Sequence, residues 1–226
     1  DVGQYGIIKD KPAYDLPINA WSDGMNVRAF ENSMQKFTGH RQALGTPTVA
    51  PFFLLPIKTT TDALWVYCGA TAVYVTQGSL TGTHKNITRS SGAYSAGTTS
   101  QNWTGLVFGG IGILNNSVDV PQMWNPVNFS TPQLLQDLSN WQTGVTCKAI
   151  SGFKNFLIAL DVSKTVGSTT TRYPRLFKWS HSSSSNAVPS SWDENSSSLD
   201  GGEYSLESTQ GHILNAQALK DSLIIT

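Results

Sequence analysis

The sequence predicts an all-β fold, a β-propeller built from antiparallel hairpins and preceded by an extended N-terminal arm. Three observations carry that expectation. Charged residues are only 13% of the 226, while Ser, Thr, Asn and Gly are abundant. Short apolar runs of strand length recur between Gly- or Asn-centred turns, and helix signals are scarce. The runs group into units spaced by roughly 40 to 65 residues, as repeated hairpin wedges would be. A two-sheet β-sandwich is the alternative architecture.

Residues 1–50 read as the arm and residues 51–226 as the first blades. Within the arm, Asp23-Gly24 is a tight-turn pair, and Val27, Phe30 and Phe37 are apolar anchors spaced to hold an extended segment on a sheet. The run at 52–57 is of strand length. Residues 63–68 and 72–75 form two β-rich runs joined by Gly69-Ala70-Thr71, a hairpin with aromatics placed for cross-strand contact. A second hairpin is expected at 103–108 and 111–115 around Gly109-Gly110.

The third unit runs from Cys147 through 152–161, crosses a polar Ser/Thr/Gly loop at 163–172, and returns at 174–180. Ser130-Thr131-Pro132 ahead of Leu134, Leu135 and Leu138 has the cap and first-turn chemistry of one short helix. The serine runs at 182–185 and 196–198 belong to loops. A fourth unit starts at 211–215 and 218–225. The Lys154-Asn155 turn before one strand and the Lys220-Asp221 turn before another form the clearest internal echo. The last run stops inside an apolar stretch, so the chain is expected to be truncated at its C-terminal end. The start at Asp1 leaves the true N-terminus open.

Composition also excludes. Fifteen basic and fifteen acidic residues leave no net charge for gripping phosphates, which argues against a general nucleic-acid binder. No apolar run reaches 18 residues, so no membrane span is expected. Cys68 and Cys147 sit in strand-like apolar contexts, where isolated cysteines behave as small buried hydrophobes; a disulfide between them stays open. They form no CxxC pair, and His40, His84, His181 and His212 have no metal-ligand spacing. No Gly-x-Ser-x-Gly elbow occurs, and the glycine turns at 109–112 and 201–202 lack phosphate-loop context.

Trp21-Ser22-Asp23-Gly24 and Ser191-Trp192-Asp193-Glu194 superficially resemble the Asp-containing turns of sialidase-like propellers, without the following Thr-Trp. Asp193 and Glu194 point apart if extended, and no motif places a second acid, so the two carboxylates of a glycosidase are missing. A carbohydrate-binding propeller, with exposed Trp stacking on sugar rings, is the rival reading. The Asn-x-Ser/Thr triplets at Asn86, Asn102, Asn115, Asn128 and Asn195 are near the number expected by chance in so hydroxyl-rich a chain. No catalytic, cofactor-binding or metal-binding residue emerges, and no cofactor is implied.

Two blocks of residues resemble one family. Leu16-Pro17, Asn19-Ala20-Trp21-Ser22-Asp23-Gly24, Asn26-Val27-Arg28 and Lys36-Phe37-Thr38-Gly39-His40 open the match. The stretch 173–181, then Pro189-Ser190-Ser191-Trp192-Asp193, Gly201-Gly202 and Gly211-His212-Ile213-Leu214 continue it in order. The pattern resembles the tail nozzle, tail tubular or packaged-DNA stabilisation proteins of short-tailed bacteriophages. That resemblance implies a virion protein: a propeller in a homohexameric ring at the tail tip, below an adaptor ring and beside tail fibre or tailspike proteins. Genomic DNA would pass through its channel without sequence-specific binding, and no catalytic residue carries over. Arg28, Lys36, Arg41, Lys58, Arg89, Arg172 and Arg175 are accordingly expected to be solvated or in subunit contacts, not a DNA grip. The seven Trp and seven Tyr are expected in part at interfaces between subunits.

Overall fold

The computed structural model describes residues 4–31, 33–37, 39–95, 103–207 and 211–226. Thr38 of the Lys36–His40 motif and Asn102 of the second Asn-x-Thr triplet lie outside the described residues. The chain divides into two compact units, Asp1–Gln42 and Ala43–Thr226.

In the first unit the expected extended arm folds back on itself. Strands β1 (Val27–Phe30) and β2 (Ser33–Lys36) pair antiparallel, with Val27 opposite Lys36 and Phe30 opposite Ser33. Glu31 takes the left-handed φ of 46° that so tight a reversal needs. Upstream, Ala13–Asp15 makes one 3-10 turn, and Trp21 bridges back to Ile7. Among the described residues of this unit no hydrophobic side chain is buried.

The second unit consists of antiparallel meanders whose strands neighbour one another in chain order. The first sheet holds β3 (Phe53–Lys58), β4 (Ala63–Cys68), β5 (Val73–Gln77) and β6 (Lys85–Asn86). The second holds β7 (Thr104–Phe108), β8 (Ile111–Asn115), β9 (Gln122–Trp124) and β10 (Gln136–Asp137). The third holds β11 (Val145–Phe153), β12 (Phe156–Val166), β13 (Thr169–Trp179) and β14 (Gly202–Ser205). A hairpin of β15 (Ala216–Leu219) and β16 (Ser222–Ile225) follows.

The sheets stack face on face with a separate apolar layer at each junction. Leu55, Ile57, Val66 and Val75 of the first sheet meet Leu114 and Trp124 of the second. The opposite face of the second sheet sends Phe108, Ile111 and Ile113 onto Cys147, Leu157, Ala159 and Leu176 of the third. The far face of the third sheet, with Ile158 and Leu160, packs against Ile213, Ala216, Leu223 and Ile225. All five residues of β8 are buried, because its sheet is covered on both sides and loses the in-out alternation of a one-sided strand. Each fully buried aliphatic or aromatic side chain contributes about 1.5–3 kcal/mol. The first strands of the units run beside one another: β3 touches β7, β7 touches β11, and β11 touches β15. Three stacked four-stranded layers replace the two layers of the sandwich alternative.

The runs expected at 63–68 with 72–75 and at 103–108 with 111–115 pair as the β4–β5 and β7–β8 hairpins; in the fourth unit 211–215 forms no strand, and the run at 218–225 folds on itself as most of the β15–β16 hairpin. Gly109 and Gly110 both have positive φ, 55° and 81°, as a two-residue type I′ turn requires. Lys154 and Lys220 share a φ of 52° at the corresponding turns of the third and fourth units, so the internal echo is a repeated turn conformation.

Two expectations are corrected. The supposed loop at 163–172 is a continuation of β12 and β13, in register from Ser163 opposite Arg172 to Val166 opposite Thr169, with only Gly167 and Ser168 turning. Its four threonines are β-branched and favour extended backbone, and Thr165 and Thr169–Thr171 stand on an exposed ribbon that needs no apolar face. The expected helix at 130–138 is absent. That segment is extended and ends in β10, because Leu135 enters the layer between the first and second sheets while Leu138 enters the layer between the second and third. A helix would have put both on one face.

Candidate functional site

Among the described residues, the third sheet carries the largest ion-pair network. Lys178, next to the end of β13, stands opposite Ala159 on the side that carries Leu176, and its side chain is 1% exposed. Glu194 arrives from the loop after Trp192 and Glu203 from β14. Lys178 Nζ donates to Glu194 Oε2 at 2.5 Å and lies 3.5 Å from Glu203 Oε2. Lys164 Nζ donates to both Glu203 oxygens at 2.7 Å and sits 3.8 Å from Glu194. Gln142 Nε2 adds a 2.7 Å bond to Glu194. Two cations thus balance two anions, and the burial of Lys178 is compensated on the spot. Burial alone would raise the Glu194 carboxyl, but the hydrogen bonds from Lys178 and Gln142 outweigh it and hold the group at about 2.

A second pair sits on the same sheet. Asp161 adopts a left-handed φ of 53° at a register shift between Leu160 and Val162, and its side chain is 2% exposed. Arg172 Nε donates to Asp161 Oδ1 at 2.7 Å, and its second guanidinium nitrogen grips the other oxygen. The kink resets side-chain alternation: Leu160 faces the outer layer and Val162 the layer shared with the second sheet.

A third cluster joins the first and second sheets. Asp119 accepts from the Arg89 guanidinium at 3.0 Å, from Ser95 N–H at 2.8 Å and from Asn116 Nδ2 at 2.8 Å. Burial opposes ionisation of Asp119, yet these donors keep it below the ordinary carboxylate range. Arg89 also covers the Tyr94 ring, 4.6 Å from its centroid.

In each cluster the carboxylates are tied to cations or amide donors. Glu194 at about 2 stays ionised at neutral pH, so it has no proton to give as a general acid. Asp193, expected to point apart from it, is exposed and caps Asn195 N–H at 2.9 Å. The second acid near Glu194 is Glu203, which no motif pointed to: the pairing of β13 with β14 sets it opposite Lys178, which Glu194 reaches from the loop. Trp192, considered for sugar stacking, is 1% exposed and packs edge-on against Trp141. Trp21 is 39% exposed.

Among the expected bases, Arg89 and Arg172 are committed to carboxylates, and Arg28 bonds Gln35 across the β1–β2 hairpin while covering Phe30. Arg175 lies beside the Glu207 carbonyl; Lys36, Arg41 and Lys58 are exposed. Cys68 and Cys147 are both buried free thiols. Burial pushes both thiols up, Cys147 to about 12, which leaves them unreactive. His84 Nδ1 is bonded by Tyr67 at 2.6 Å, and His181 Nδ1 accepts from Asp200 N–H at 3.2 Å. Among the described residues no three His, Cys, Asp or Glu side chains converge as metal ligands, and no helix is long and apolar enough to cross a membrane. No protein-family model matches the chain, and no curated protein matches it either.

Proposed function

We propose that this chain is a structural subunit of the ring-shaped nozzle at the tail tip of a short-tailed phage, and that its stacked meanders are successive blades of a β-propeller. The observation that carries the propeller reading is the layering: four-stranded units in chain order, each laid on the last with first strand beside first strand. The two sequence blocks at 16–40 and 173–214 supply the nozzle reading. The charge arrangement suits a wall past which DNA slides. Four of the fifteen basic residues, Arg89, Arg172, Lys164 and Lys178, are paired with carboxylates, and across the chain fifteen acidic residues balance the fifteen basic ones, which leaves no net positive charge to hold phosphates.

Electron microscopy of the purified protein tests this reading directly. A ring with an axial channel, decorated at the tail tip by an antibody against the chain, is the expected image. Particles labelled only elsewhere, or a preparation that never forms rings, would refute it. Duplex DNA titrated at low salt should bind weakly; tight, steeply salt-dependent binding would remove the sliding-wall role. The carbohydrate-binding alternative loses one of its two tryptophan platforms with the burial of Trp192.

A further inference from the structure

A polar pocket of about 440 Å³ opens between the second and third sheets, beside the β7–β8 and β11–β12 turns. Its polar wall is Lys154, Asn155 and the loop 183–186, and no carboxylate lines it.

The loop is held by bonds of its own. Ser183 N–H donates to the Asn155 carbonyl at 2.8 Å, which ties the loop to the β11–β12 turn, and Ser183 Oγ donates to the Ala187 carbonyl at 2.8 Å. Ala187 N–H closes the turn on the Ser184 carbonyl at 3.3 Å. Donors are left over. Among the described residues, the N–H groups of Ser184, Ser185 and Asn186 and the hydroxyls of Ser184 and Ser185 have no acceptor. Successive N–H groups in a turn, here ending at Asn186 with its left-handed φ of 57°, form the kind of backbone concavity that takes an anion. Gly109 keeps the approach to them open, since a Cβ there would lie 3.2 Å from the Asn186 nitrogen.

Lys154 supplies the charge. Its ammonium is 3.4 Å from Asp221, but the Asp221 side chain is 94% exposed, and so open a pair is worth little in water. The pocket wall is therefore positive in a chain whose formal charge is zero. A metal cation finds no carboxylate here, and a sugar finds no ring to stack on beyond Phe108, which is 8% exposed. A phosphate group fits, because it accepts from backbone N–H groups, serine hydroxyls and lysine alike.

We infer that this pocket seats a phosphate group, which in the assembled nozzle belongs to the backbone of the passing duplex. The inference rests on the nozzle reading above for the source of the phosphate. One lysine in each subunit makes a contact that a moving duplex breaks readily, since each neutralised phosphate adds only about 0.9 to the salt slope of binding.

Anisotropy of a short labelled duplex at low salt, on the full chain, tests the pocket. Lys154→Asn removes the charge and puts in a residue that tolerates the left-handed turn. It should weaken binding about tenfold and lower the salt slope by about 1. Ser184→Ala with Ser185→Ala should weaken binding about threefold and leave the slope unchanged. Lys220→Asn, at the corresponding turn of the fourth unit and outside the pocket, should bind like the wild type. In a second arm, inorganic phosphate at constant ionic strength should raise the melting temperature of the wild type but not of Lys154→Asn.

Stabilisation by inorganic phosphate, with duplex binding unmoved by every substitution, overturns the duplex as the source. Equal losses in Lys154→Asn and Lys220→Asn reveal diffuse attraction and overturn the site. Duplex binding and phosphate stabilisation that both ignore Lys154→Asn overturn it as well, and leave the nozzle reading to its rings. A wild type that binds phosphate through Lys154 yet forms no ring overturns the nozzle reading and upholds the pocket.

Discussion

The two compact units are opposites in how they hold their shape. In Asp1–Gln42 the β1–β2 hairpin and the 3-10 turn rest on backbone hydrogen bonds and exposed contacts, with Tyr14 85%, Ile18 104% and Met25 85% exposed. In Ala43–Thr226 every four-stranded sheet has at least one face in an apolar layer, and the second and third have both. Hydrogen bonds alone contribute little net stability to a short hairpin, whereas burial of area does, so the layers should set the stability of the molecule. The contrast teaches that the polar look of this chain misleads: its stability resides in a minority of residues placed between sheets.

The sharpest way to break the comparison is to empty a layer. Trp124 is 1% exposed, and Trp124→Ala should cost about 3–5 kcal/mol in denaturant unfolding. Removing one member of the buried ion network comes next. Lys178→Met leaves Glu194 and Glu203 sharing Lys164 alone and should cost about 3 kcal/mol, while adding Glu194→Gln to that variant should recover part of the loss.

Acid acts on the same network. A carboxyl held at about 2 when folded, against an ordinary 4.5, adds stability that is fully present above 4.5. That stability disappears as pH falls from 4.5 toward 2. Melting temperature followed over this window should drop less steeply in Glu194→Gln than in the wild type.

A smaller effect is expected at Gly202 on β14, where an added Cβ would lie 2.4 Å from the Trp179 ring. The ring is held by its own Nε1–H bond to the Asp200 carbonyl at 2.7 Å, so Gly202→Ala should cost about 1–3 kcal/mol. At the bottom of the scale, Tyr14→Ser and Ile18→Ser in the first unit should change unfolding free energy by less than about 0.5 kcal/mol. A large loss there would abolish the contrast between the units.

Much of the layered unit was legible from residues. The hairpins at 63–77 and 104–115 announce themselves because glycines separate apolar runs, and the Lys154 and Lys220 turns repeat visibly. The ribbon at 163–172 was not, since Thr and Ser read as loop when no apolar face marks the alternation. Residues 130–138 carry genuine helix-start chemistry, which lost to the pull of two different layers on Leu135 and Leu138. The ion network was illegible for another reason: Gln142, Lys164, Lys178, Glu194 and Glu203 come from five separate segments, and nothing local hints that they meet.

The left-handed kink at Asp161 reaches further than its own clamp. Since it swaps which side of β12 faces which layer, sliding that strand by a single position would strip the carboxylate of Arg172 and turn Ser163 inward in place of Val162. A mispaired β12–β13 ribbon would thus lose the Arg172 clamp and the Val162 packing together.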